Sequence, residues 1–177
     1  MIREQLLNDP HGSASELGSL PGVTVIRTLG HRGGVEFILD FAPPRELELA
    51  GYGRERARLI VHRVGDPEAF PLGDPKRLWL HRNWAPGGSG QPGRATGSLC
   101  LFYNKDNRAL RWEWEDGLAD YVVRVHRHLF LEEHWRREEF WAYEDAPHTL
   151  PPPGQRHPVR TAEMKEVRDK WTASRTG

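Results

Sequence analysis

Cysteine is almost missing from this chain of 177 residues, which has one, Cys100. A lone thiol excludes an internal disulfide framework and every zinc site built from several cysteines. Net charge is missing too, because 25 Lys and Arg balance 25 Asp and Glu. That balance argues against a dedicated nucleic-acid binder, which carries a basic excess. No uninterrupted apolar run approaches the roughly 18 residues a membrane helix needs. The opening MIREQLLNDP has acidic and polar residues where a signal peptide needs an apolar stretch. The expected setting is therefore cytoplasmic, with no nucleic acid and no membrane among the partners. What remains is globular, 37% hydrophobic and 28% charged. A chain of this length buries roughly 70% of its unfolded surface around one core. The expected organisation is a domain over 1–150 and a polar, partly flexible C-terminal extension over 151–177.

Residues 1–22 are weakly patterned, with a short helix expected at the start and turns at Asn8-Asp9-Pro10 and Pro21-Gly22. Val23–Leu29 and Val35–Phe41 are rich in β-branched and apolar residues and flank the turn Gly30–Gly34, the pattern of an antiparallel hairpin. Arg58–Val64 alternates Leu59, Val61 and Arg63 against Ile60, His62 and Val64, and reads as a third strand. Arg77–Leu80 reads as a short fourth. Ala85–Gly97 is crowded with Gly and Pro and lacks large apolar residues, so it reads as a long surface loop. Such loops in compact domains are often functional. Ser98–Tyr103 (SLCLFY) follows with the thiol, then a turn at Asn104–Asn107.

A helix is expected over about Asp116–Trp135, where Leu118, Tyr121, Val122, Val125 and Leu129 share one face. Asp116 is its expected N-cap. Glu132–Tyr143 reads as a charged surface helix or turn anchored by Trp135, Phe140 and Trp141, and a last helix is expected at Thr161–Trp171. Most of the seven tryptophans are expected in core and rim packing.

The residues that bear chemistry are few. Cys100 has two readings. An isolated cysteine in an apolar stretch is usually a small buried hydrophobe. At the exit of a Gly-rich loop it is instead a candidate nucleophile, given exposure and surroundings that favour thiolate. His81 and Asn83 end the expected fourth strand; an amide such as Asn83 suits oxyanion binding, and a histidine suits loop organisation or base catalysis. His126 and His128 lie on different faces of a helix and His134 two turns on, so no metal site is expected. The Gly-rich loop lacks the GxxxxGK[ST] phosphate pattern, so no cofactor is expected either.

Taken as a unit, Phe70–Leu101 resembles the central signature of ubiquitin-conjugating (E2) enzymes. Phe70-Pro71-Leu72 and Pro75 match the proline run, and Leu78–Leu80 the strand. His81 and Asn83 match the outer residues of the His-Pro-Asn triplet, and Leu99-Cys100-Leu101 the cysteine segment. Trp112 falls where the family places a tryptophan after the cysteine. Arg82 stands in place of the family proline, and His81 lies 19 residues before Cys100, about double the family spacing. Leu99–Phe102, Trp112–Trp114, Glu133–Trp135, and Trp141 with Ala146-Pro147-His148 look like the bacterial, stand-alone branch found in short type II CBASS antiphage systems.

The resemblance covers roughly Val23–His148. It implies an α+β, ubiquitin-conjugating-enzyme-like fold, with an antiparallel four-stranded meander and flanking helices. It also implies a cysteine acyl transferase. Cys100 would hold a protein C-terminus as a thioester and pass it to an amine, with Asn83 as oxyanion donor and His81 as loop organiser. His148 would be a further polar group if the tail folds over the site. The partner implied is a cGAS-like nucleotidyltransferase, whose C-terminus is the substrate and which conjugation primes; the conjugation target is unspecified. Two other readings stand beside it: a binding module of the same fold with a structural cysteine, and, ranked last, a Cys–His hydrolase. A hydrolase usually sets its nucleophile at a helix N-terminus, whereas Leu99–Tyr103 looks extended.

Overall fold

Four strands follow one another in space as in sequence: β1 (Val23–His31), β2 (Gly34–Phe41), β3 (Glu55–His62) and β4 (Glu68–Leu72), all antiparallel. Around them lie α1 (Arg3–Asn8), α2 (Pro10–Gly18), α3 (Arg45–Leu49) and α4 (Gly117–Glu138). This is the expected α+β arrangement of a four-stranded meander with flanking helices. The structure, a computed structural model, describes residues 3–74, 77–81, 83, 97–102, 108, 111–139 and 141. Most of the Gly-rich loop, Pro75, Arg82, the Asn104–Asn107 turn, Phe140, His148 and the whole 151–177 extension lie outside them, as does the expected helix at Thr161–Trp171.

The hairpin of β1 and β2 turns where the glycines are. At Gly34 φ is +151°, and a Cβ there would stand 2.0 Å from the Val61 carbonyl oxygen, so only glycine fits. Val35, Phe37, Leu39 and Phe41 alternate along β2 and meet Ala57, Leu59 and Val61 of β3 on the same face. In β1 the register shifts, with Val25 opposite Leu39 but Arg27 opposite Ile38. Ile26 is the extra residue and is 51% exposed; such a bulge sends the following side chains to the other face.

The fourth strand is Glu68–Leu72, a correction to the expectation of Arg77–Leu80. Pro71 obscures it, because proline argues against a strand anywhere but an edge. Here it is at the edge. Ala69 turns its carbonyl away from β3, to the Leu99 N–H at 2.7 Å, and Pro71, two residues on, faces the same way. Its missing N–H therefore takes no bond from the β3 ladder.

The helices are set by local rules and finished by packing. Asp9 caps α2 by accepting the Gly12 N–H at 2.9 Å, with Pro10 in the first turn. Pro43-Pro44 and Gly51–Gly53, legible only as breaks, flank the short α3. Leu118, Tyr121, Val122, Val125 and Leu129 are all buried and join the inner face of the sheet, Leu6 and Leu17 in one core cluster. One expectation for α4 needs correction. It runs on to Glu138, absorbing a stretch that reads as separate, because Leu131 and Glu132 are buried. Asp116 does stand at its N-cap but makes no side-chain capping bond; its carboxylate accepts the Glu113 N–H at 2.9 Å and binds Arg108 instead. Of the tryptophans, Trp79 and Trp112 are buried in the core, and Trp114, Trp135 and Trp141 are partly exposed.

Candidate functional site

Two short segments meet beside the outer edge of β4. The Leu99 N–H is bonded to β4 at Ala69. Cys100 then donates its N–H to the His81 carbonyl at 3.1 Å, Asn83 donates to the Ser98 carbonyl at 2.8 Å, and Gly97 donates to the Asn83 carbonyl at 2.9 Å. Residues 81 and 83 are thus paired antiparallel with residues 97, 98 and 100. A separation of 19 residues in sequence becomes one backbone hydrogen bond in space. Cys100 is partly exposed and Asn83 exposed, while Leu99, which faces β4, is buried. Cys100 lies in no helix.

His81 faces inward, 5% exposed. Its ring lies 4.2 Å from that of Trp141, tilted 35°, and edge-on to His128 at 6.1 Å. Its backbone is gripped from α4. The Glu132 carboxylate accepts the His81 N–H at 2.6 Å and the Leu80 N–H at 2.9 Å. His128 Nε2 lies 3.0 Å from the His81 carbonyl oxygen and donates to it. Glu132 is 0% exposed. Burial, the strongest single influence on its carboxyl, pushes the pKa up; the His128 bond and charge and the two backbone N–H groups outweigh it and hold the group below the usual carboxylate range. The carboxylate is ionised at neutral pH.

The segment leading into the site is tied down as well. Arg77 bridges Glu55 and Glu133, Arg136 reaches the Leu78 carbonyl at 3.0 Å, and both guanidinium groups flank the Trp79 ring, at 5.4 and 4.8 Å from its centre.

Asn83 belongs to a different chain of contacts. Its amide Nδ2 donates to Ser98 Oγ at 3.1 Å, Ser98 Oγ donates to Glu68 at 3.5 Å, and Glu68 meets His62 Nε2 at 2.9 Å. The amide is thereby oriented from β4 and β3, and one of its two hydrogens is committed to Ser98.

The three histidines of α4 are divided among three partners. His126 bonds the Ala42 carbonyl at 2.8 Å, where burial lowers its pKa despite that bond. His128 takes His81, and His134 Nδ1 lies 2.9 Å from the Tyr52 hydroxyl. Among the described residues no group of three His, Cys, Asp or Glu is placed to hold a metal. A groove of about 490 Å³ lined by His11, Ala14, Gly18, Val25 and Ile26 lies between α2 and β1, at the opposite edge of the sheet from β4.

The structure therefore brings the three residues singled out from sequence, His81, Asn83 and Cys100, onto one pair of segments. Sequence reasoning missed Glu132, Ser98 and Glu68. A signal for Glu132 exists, since it continues the apolar stripe of α4 three residues after Leu129 and seven after Val125, and a charge on that stripe has to be buried. Ser98 and Glu68 carry no comparable mark. Compared with known proteins, the chain matches no family model, no curated sequence and no solved structure.

Proposed function

We propose that the protein is a ubiquitin-conjugating-enzyme-like acyl transferase with Cys100 as nucleophile. The observation that carries the reading is the pairing of a partly exposed Cys100 with the His81–Asn83 segment. It supports the residue correspondence drawn from the sequence, despite the long spacing. An extended nucleophile segment fits conjugation better than hydrolysis, because among the described residues no helix begins at Cys100 to favour thiolate in the way usual for a cysteine hydrolase.

Cys100 thiolate attacks the carbonyl carbon of an activated protein C-terminus, supplied as a thioester or acyl adenylate. A C–S bond forms and the donor's thiolate or AMP leaves. An amine, most simply a lysine, then attacks that carbonyl. The C–N bond forms, the C–S bond breaks, sulfur leaves as thiolate and the amine's proton passes to solvent. Covalent capture divides one hard step into two easier ones. Asn83, already oriented by Ser98, offers its remaining N–H to the developing oxyanion. His81 organises the segment and is too buried to act as a base toward solvent. The C-terminus of a cGAS-like nucleotidyltransferase is the substrate that the resemblance implies.

The test uses the full chain with a small aryl thioester of N-acetylglycine, followed by free lysine, monitored by intact mass. A mass increase on wild type that is absent from Cys100→Ala and is discharged to lysine as an amide is expected. Asn83→Ala should slow discharge by about 10²–10³-fold. Release of free acid instead of amide would mark a hydrolase. An inert Cys100, resistant also to iodoacetamide, would leave a binding module with a structural cysteine.

A further inference from the structure

α4 holds His81 at both of its backbone groups. Its N–H goes to Glu132 at 2.6 Å, and its carbonyl to His128, one helical turn earlier, at 3.0 Å. That same carbonyl oxygen accepts the Cys100 N–H. A fully buried carboxylate is costly unless every partner is present, and exchanging buried ionic groups for apolar ones is often neutral or stabilising. Stability alone is thus a poor reason for a charge at 132, whereas fixing one backbone position is something an apolar side chain cannot do. We infer that Glu132 is the positioning residue of the Cys100 site: its carboxylate sets the place of the His81 backbone, which sets the place of the Cys100 backbone. The inference rests on the reading that Cys100 is the reacting group.

The charged and titratable groups around the carboxylate agree with this role. His128 Nε2 is 3.6 Å from it, Arg136 3.7 Å and His81 Nδ1 3.9 Å. Arg136 also has a nearer carboxylate in Glu133, at 3.1 Å. The short bonds of Glu132 are the two to backbone N–H groups of the site segment. Glu132→Gln keeps the size of the side chain but replaces one acceptor oxygen by a donor NH₂, which cannot serve one of those N–H groups.

The experiment compares wild type with Glu132→Gln and with Asp40→Asn. The second removes a paired carboxylate of β2, bonded to Arg54 and Arg56, that touches neither site segment. Amide hydrogen exchange at residues 80, 81 and 100 is measured together with transfer from the aryl thioester to lysine. Glu132→Gln is expected to speed exchange at all three positions and to lower kcat roughly 100-fold with KM little changed. Asp40→Asn should change neither. Equal behaviour of the two variants, or faster exchange at 80 and 81 with none at 100, would overturn the inference. If wild type itself transfers nothing, the acyl-transfer reading has failed, and exchange at Cys100 alone decides whether Glu132 anchors it. Should Glu132→Gln not fold, Glu132→Asp, which keeps the charge but shortens its reach to the Leu80 and His81 N–H groups, takes its place with the same readouts.

Discussion

In β2 the backbone is paired on both sides, and the load is shared along whole ladders: eight residue pairs to β1 and eight to β3. Loss of any one bond there leaves its neighbours in register. In the Leu80–His81 stretch two adjacent N–H groups converge on one carboxylate, and the His81 carbonyl in turn accepts the Cys100 N–H. The sheet repeats one bond pattern, whereas the site segments are held by bonds of different kinds from α4, from β4 and from one another. Secondary structure satisfies a backbone by repetition, whereas a functional segment that leaves the sheet depends on single side chains, each buried and each expensive to lose.

The contrast is broken or sharpened by three measurements, beginning with the largest effect. Phe37→Ala empties a fully buried position of the core and should cost about 3–5 kcal/mol in a denaturant titration. Hydrogen exchange at Cys100 should then stay unchanged, because that site opens locally; a rise matching the lost global stability would show the two regions to be one cooperative unit. An acid titration comes next. Glu132, Glu133 and Asp40 all have folded pKa values below their unfolded ones. Burial raises each, but for Glu133 the bonds to Arg137, Arg77 and Arg136 prevail, and for Asp40 those to Arg56 and Arg54. Their stabilisation is complete above the ordinary carboxylate pKa and is lost as pH falls through the folded values. Stability measured by urea unfolding should therefore decline below about pH 4.5, with a shallower slope in Glu132→Gln; an unchanged slope would mean that the buried carboxylate is not ionised. The smallest effect belongs to Arg58→Ala. Its guanidinium stands 4.0 Å from Glu36 and 5.0 Å from the Phe70 ring on the outer face of the sheet. A change of about 1 kcal/mol or less is expected. A larger one would show that the outer face carries more than decoration.

Legibility from sequence followed the same division. β1, β2 and β3 announce themselves through β-branched and alternating runs, and the long helix through its 3.6-residue stripe, because each pattern serves a core-facing surface repeated along one element. β4 was hidden by Pro71, whose place at an edge cannot be seen without the neighbouring strands. Arg77–Leu80 looked like a strand because it is apolar, yet its Leu80 N–H goes to a helix residue 52 positions away, and no local pattern records that. Cys100, His81 and Asn83 stood out by residue type and order. That they meet could not be read across a separation of 19 positions.

The amino-acid order by itself determined the first three strands of the meander, the apolar face of α4 and the identity of the three residues that carry the proposed chemistry. These depend on periodicity and on short-range turn chemistry, which act between near neighbours. Tertiary structure alone decided that a charge on the apolar stripe of α4 would hold the backbone of His81, and that His81 would hold Cys100. Hydrogen-bond partners so far apart in the chain are chosen by how the sheet and helix pack, and packing belongs to the whole molecule.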